Sequence, residues 1–93
     1  MGLTFEWDER KARANLAKHG VAFAEAATVL DDPLSLTIHD PLHSVVEDRF
    51  VTIGWSTSAR TVVVVHADAG DVIRIISARM ATANERKAYE EGR

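Results

Sequence analysis

Two arginines in one short apolar run are the residues of this chain most able to do chemistry. Positions 73–79 read Ile-Arg-Ile-Ile-Ser-Ala-Arg, so Arg74 and Arg79 stand in a segment that is otherwise apolar or small. Arginine is seldom buried without a partner. Its planar fork can grip a phosphate or a carboxylate with two parallel hydrogen bonds. If the strand is unbroken, the two arginines have opposite parity and face different sides of a sheet. Arg74, near the middle, reads as the partner of an internal acid such as Glu47 or Asp48. Arg79, at the strand end, stands open between a structural and a functional role. Arg60 starts another strand and can extend from the same edge or serve as an exposed loop residue.

Other groups extend the candidate chemistry. His66 closes an apolar run and is a possible proton-transfer group, because imidazole titrates near neutrality; by itself it reads as a strand-end histidine bonded to backbone. Lys18 and His19 precede Gly20, where cations complement a helix dipole, and such a pair can also contact phosphate. Glu47 and Arg49 share parity and can pair across one residue; Glu47 is a further candidate base. His39, Asp40 and His43 suggest a metal cluster, yet Pro41 interrupts any regular helix there and no third strong ligand follows. Phosphate-binding glycine loops, nucleophile elbows and zinc-hydrolase helices are absent from the sequence.

These residues need a scaffold, and the pattern supplies one. Leu3, Phe5 and Trp7 alternate with polar residues as in a short strand. Asp8 is a helix cap, with Glu9 in the first turn, and the helix should stop at Gly20. Lys11, Asn15 and Lys18 share one of its faces. Phe23, Ala26, Ala27 and Leu30 form the stripe of a second helix over 22–30, ended by Asp31-Asp32-Pro33. A strand over 34–39 leads into a polar loop ending near residue 46. Strands over 48–56, 60–67 and 72–78, joined by short spacers, make an antiparallel meander. Thr82 and Glu85 match a capping box for a last helix over 83–91. The expected class is therefore α+β, two N-terminal helices and a C-terminal helix on an antiparallel meander, in one domain over 1–93. Both strand faces are apolar, so one face should be covered well and the other only in part.

Composition narrows the options. There is no cysteine, which excludes disulfides and cysteine zinc sites. No apolar run approaches a membrane span and no leader is evident, so a cytoplasmic protein without membrane contact is expected. The net charge is −3, but it is unevenly spread. Residues 1–48 hold four Lys/Arg against nine Asp/Glu, whereas residues 49–93 hold seven against five. A local phosphate site suits this distribution better than long duplex binding.

The chain resembles the BrnT family of toxins from type II toxin–antitoxin systems. The matching residues are Phe5-Glu6-Trp7-Asp8, Lys11, Asn15, Lys18-His19-Gly20-Val21, Phe23, Glu25 and Ala26, then Asp32-Pro33, Glu47-Asp48-Arg49, Ile53-Gly54 and Arg60. The densest match is Val63 to His66 with Ile73 to Arg79, followed by Ala81-Thr82, Glu85-Arg86 and Tyr89-Glu90. The resemblance implies a RelE-like fold and ribonuclease activity, and the expected enzyme is a metal-independent endoribonuclease without cofactor. The resemblance also implies a BrnA-like antitoxin, through which alone the pair would reach operator DNA. Within it, Arg79 and Arg60 are expected to contact phosphate, His66 to move protons and Glu47 to assist. Lys18, His19, Arg49 and Arg74 are expected to hold RNA. Two departures, Met80 and Ala59, stand where members often carry a basic residue and glycine. They leave open a catalytically weak binding module, acting as antitoxin partner and co-repressor. A metal-dependent hydrolase using His39, Asp40 and His43 is the more distant alternative.

Overall fold

The computed structural model describes residues 2–43 and 47–92. Five strands and three helices run in the order β1 (Thr4–Glu6), α1 (Glu9–His19), α2 (Phe23–Val29), β2 (Leu36–His39), β3 (Arg49–Trp55), β4 (Thr61–Ala69), β5 (Val72–Met80) and α3 (Ala83–Glu91). The helix ends follow local rules. Asp8 accepts from the backbone N–H groups of Arg10 at 2.8 Å and Lys11 at 3.2 Å, and Gly20 ends α1 at φ 70°, where a Cβ would be strained. Thr82 and Glu85 close a reciprocal capping box at α3. Asp32 accepts from Leu34 N–H at 2.9 Å, and this turn delays β2 until Leu36. Pro41–His43 forms a short 3₁₀ turn; the rest of the expected polar loop, 44–46, lies outside the described residues.

The sheet order is β1-β5-β4-β3-β2. The meander from β2 to β5 is antiparallel, as its short connections require. β1 adds to β5 in parallel, reached through α1, α2 and the meander, so the sheet is mixed.

Cross-strand pairs face one side, and the register therefore sorts every strand residue. One face carries Val62, Val64, Ile75 and Ala78, which pack with Val21, Phe23, Ala26 and Val29 beneath α1 and α2. Each fully buried valine there contributes about 1.5–3 kcal/mol. The other face consists of three rows. Leu36, Ile53, Val63 and Arg79 pair in the first; Ile38, Val51, Val65 and Ser77 in the second; Arg49, Ala67, Arg74 and Glu6 in the third. α3 lies along the first row, with Glu85 bonded to Arg79 and Gly92 packed close to Leu36.

The expectation that Arg74 and Arg79 face opposite sides is corrected by a β-bulge. Val65 pairs with Ser77 and His66 with Ile75, leaving Ile76 unpaired. The extra residue resets the alternation, so Ile75 and Ala78 both point inward although three apart. Arg74, Ser77 and Arg79 all point to the face carrying α3. Asn15 of α1 holds the strand just past the bulge: its side chain exchanges hydrogen bonds with Ala78, donating to the carbonyl at 2.8 Å and accepting from N–H at 3.0 Å. It also donates to Val21 O at 2.9 Å.

Candidate functional site

α3 covers only one end of its face. The second and third rows are covered less evenly: Ile38 and Arg74 are exposed and Val51, Val65 and Ser77 half-buried, while Ala67 is buried. A shallow apolar strip thus runs beside a charged one. Glu47, entering β3, ion-pairs with Arg74 and lies 4.0 Å from Arg49. One carboxylate therefore stands between two guanidinium groups at the margin of the apolar strip.

At the other end of β5, Arg79 is held by α3. Its Nη1 and Nη2 donate to Glu85 at 2.7 and 2.9 Å, the two-pronged geometry of a fork on a carboxylate. The Arg79 hydrogen bond, aided by the capping contacts with Thr82, brings the Glu85 carboxyl down to about 2 despite partial burial. The same pairing raises Arg79. Its side chain remains 43% exposed, so part of the guanidinium edge still meets solvent.

The flank of this surface is cationic. β1 stops at Glu6, and beyond it the free edge of β5 is bordered by α1. A cleft of about 240 Å³ opens there, lined by Lys11, Ala14, Asn15, Lys18, His19, Ile76 and Ser77. Among the described residues no carboxylate lines it. Ser77 belongs both to this cleft and to the open row between Arg74 and Arg79. Of the sequence candidates, Lys18 and His19 line this cleft, Glu47, Arg49 and Arg74 cluster on the α3 side of the sheet, and Arg79 stands further along β5 on that same side.

His66 and Arg60 lie elsewhere. His66 is 3% exposed on the opposite face. Its Nδ1 meets Asp68 at 2.6 Å and its Nε2 meets Thr52 Oγ1 at 2.8 Å, and Thr52 in turn bonds Thr37 at 2.8 Å. A carboxylate only accepts, so the neutral ring carries its proton on Nδ1 and accepts from Thr52. Phe50 stacks on the ring at 5.8 Å. Arg60 donates through Nε to Glu25 at 2.9 Å and through Nη2 to Gly20 O at 3.0 Å, and Ser56 donates to the same carboxylate at 2.7 Å. The Arg60 hydrogen bond is the main cause of the lowered Glu25 carboxyl. This network ties α2 to the β3–β4 turn. His39 pairs with Asp48 and His43 with Asp40; among the described residues they do not gather three ligand groups. Sequence reasoning missed Glu25 and Glu85 as arginine partners and Ser77 as a lining residue. Only the capping box hinted at Glu85.

A model of the BrnT ribonuclease toxins of type II toxin–antitoxin systems matches residues 7–85. The chain belongs to the BrnT family. Membership implies an RNA target and an antitoxin partner. Among solved structures, this BrnT-family chain is similar to the ribonuclease toxin BrnT of Brucella abortus, determined at 1.1 Å. The identity is 26% and the TM-score 0.62, covering 86% of this chain and 97% of that one. No curated protein sequence matches this chain. Both findings agree with the α+β architecture and with the sequence resemblance.

Proposed function

We propose that this chain is a toxin that cuts RNA without a metal, neutralised by a BrnA-like antitoxin. The observation that carries the reading is the bulge at Ile76, which gathers Arg74, Ser77 and Arg79 on one face of β5. In the proposed reaction the 2′-hydroxyl attacks the adjacent phosphorus. Glu47 takes its proton, the P–O5′ bond breaks, and the proton passes to the departing 5′ oxygen. Arg74 and Arg79 stabilise charge developing on the phosphate. Lys11, Lys18 and His19 hold the flanking backbone, and Arg49, 4.0 Å from Glu47, orients its carboxylate. His66, buried on the opposite face, and Arg60, committed to Glu25 and Gly20, are assigned to stability. The cytoplasm, where RNA is met, is the proposed location.

The test is cleavage of a defined RNA by purified, antitoxin-free protein with chelator present. Cyclic phosphate and 5′-hydroxyl ends are expected. Arg74→Ala or Glu47→Gln should lower the rate by about 10²-fold. Cutting by Arg74→Ala at the wild-type rate would remove this surface from the reaction.

A second reading has its own observation. Arg60, Arg74 and Arg79 each already face a carboxylate, which suits a binding module that acts as antitoxin partner and co-repressor. Folded protein that leaves RNA intact yet binds antitoxin tightly would select it.

A further inference from the structure

Across the sheet from the cationic flank lies a surface of opposite character. Trp55 ends β3 with 48% of its area exposed, and Leu34 is 46% exposed. Two clefts share Trp55. One, of about 390 Å³, is lined by Asp32, Leu34, Trp55, Tyr89 and Glu90. The other, of about 370 Å³, runs past Asp31 and Pro33 to the β3–β4 turn. The indole is thus a ridge with a hollow on each side.

The ridge is held in place before anything binds. Asp32 Oδ2 accepts from Trp55 N–H at 2.9 Å and from Tyr89 OH at 2.6 Å. One carboxylate therefore joins the ridge to the C-terminal part of α3. Thr28 Oγ1 accepts from Thr57 N–H at 3.1 Å and anchors the following turn. An exposed aromatic on a braced support loses little freedom on binding, and tryptophan is enriched among residues that dominate association energy.

Charge decides what the ridge takes. Asp31, Asp32 and Glu90 border the hollows, and among the described lining residues there is no lysine or arginine. A tryptophan can also stack a nucleobase, but the phosphates accompanying that base would meet these acids. A protein segment carrying lysine or arginine beside aliphatic side chains fits both the rim and the hollows.

We propose that the Trp55 ridge is the seat of the antitoxin, through a cationic segment whose aliphatic side chains fill the two hollows. The proposal rests on the antitoxin-partner reading. It adds a geometric consequence: β4 separates β3 from β5, so a segment seated here leaves the Lys11, Lys18 and His19 cleft uncovered. This segment is an anchor, and covering the RNA-facing surface falls to the rest of the antitoxin.

The experiment is calorimetric titration of the purified cognate antitoxin into wild type, Trp55→Ala, Leu34→Ser and the Asp31→Lys/Glu90→Lys pair, each checked for folding by circular dichroism. A 2′-O-methyl oligoribonucleotide, which cannot be cut, is titrated in parallel. Trp55→Ala should weaken antitoxin binding by about 30-fold or more, and charge reversal should weaken it most at low salt. Oligonucleotide affinity should not fall in any variant. Leu34→Ser, on a side chain already half exposed, supplies the result if Trp55→Ala fails to fold. Wild-type antitoxin affinity in the folded variants overturns the proposal. So does a loss of oligonucleotide affinity with antitoxin binding intact, which would make the ridge a base platform. If wild type itself ignores the antitoxin, the partner reading falls first and the anchor with it.

Discussion

Glu85→Gln separates two jobs performed by one carboxylate. Glu85 accepts from Thr82 N–H at 2.9 Å to close the capping box, and it receives the Arg79 fork at 2.7 and 2.9 Å. Glutamine keeps an acceptor for the cap but removes the charge facing Arg79. The carboxyl lies at about 2 against an ordinary 4.5, a difference of roughly 3 kcal/mol if nothing screened it. Arg79 is 43% exposed, and screening brings the expected loss to about 1 kcal/mol. Because the folded carboxyl is depressed, its contribution is complete above the unfolded value and is lost as pH falls from about 4.5 toward 2. Urea unfolding should therefore show Glu85→Gln less stable by about 1 kcal/mol at neutral pH, with the gap closing near pH 2. The freed Arg79 should also bind the 2′-O-methyl oligoribonucleotide several-fold more tightly, on the order of 1 kcal/mol. A stability gap independent of pH, or weaker RNA binding, would refute the view that Glu85 occupies a phosphate-seeking arginine.

Other perturbations bear on the scaffold. Asn15→Ala strands Ala78 N–H, Ala78 C=O and Val21 C=O in a site 6% exposed; about 3–5 kcal/mol should be lost in urea unfolding. Gly54→Ala would place a Cβ 2.9 Å from Val29 Cγ1 and 3.0 Å from Ser35 Cβ, costing about 1–3 kcal/mol by the same assay. His66→Leu leaves Asp68 and Thr52 without their ring partner and should cost about 1–3 kcal/mol. RNA cleavage by this variant, measured well below its melting temperature, should stay near wild type; loss of cleavage with the fold intact would return His66 to the reaction.

Elements governed by local rules were legible in the sequence. Asp8, Gly20, and Thr82 with Glu85 announce helix ends within a few residues, and short polar spacers announce the meander. The bulge was not read from the sequence: the adjacent Ile75 and Ile76 break the alternation of Ile73–Arg79, but register belongs to two strands and the break does not say which residue is unpaired. The parallel pairing of β1 was hidden for the same reason: its partner lies 68 residues away, as in Thr4 with Val72. Asn15 reads as one polar residue on the Lys11 and Lys18 face until α1 is seen against β5. The pairing of Arg60 with Glu25 spans 35 residues, and no spacing rule reaches that far. The arginines were found by type, but their availability depends on acids that only folding brings near.

Ile76 has a consequence for how this chain tolerates change in length. The ladder steps from Ile75 opposite His66 to Ser77 opposite Val65. Removing Ile76 would join the two halves of β5 into a regular ladder and leave every other pair in phase. Ala78 would stay inward, and Arg74 and Arg79 would stay on their shared face. A deletion elsewhere in the strand has no spare residue to absorb it and would turn side chains over. β5 is thus two half-strands with an expansion joint between them. An alignment of related chains that keeps both halves in step places any one-residue gap at that joint.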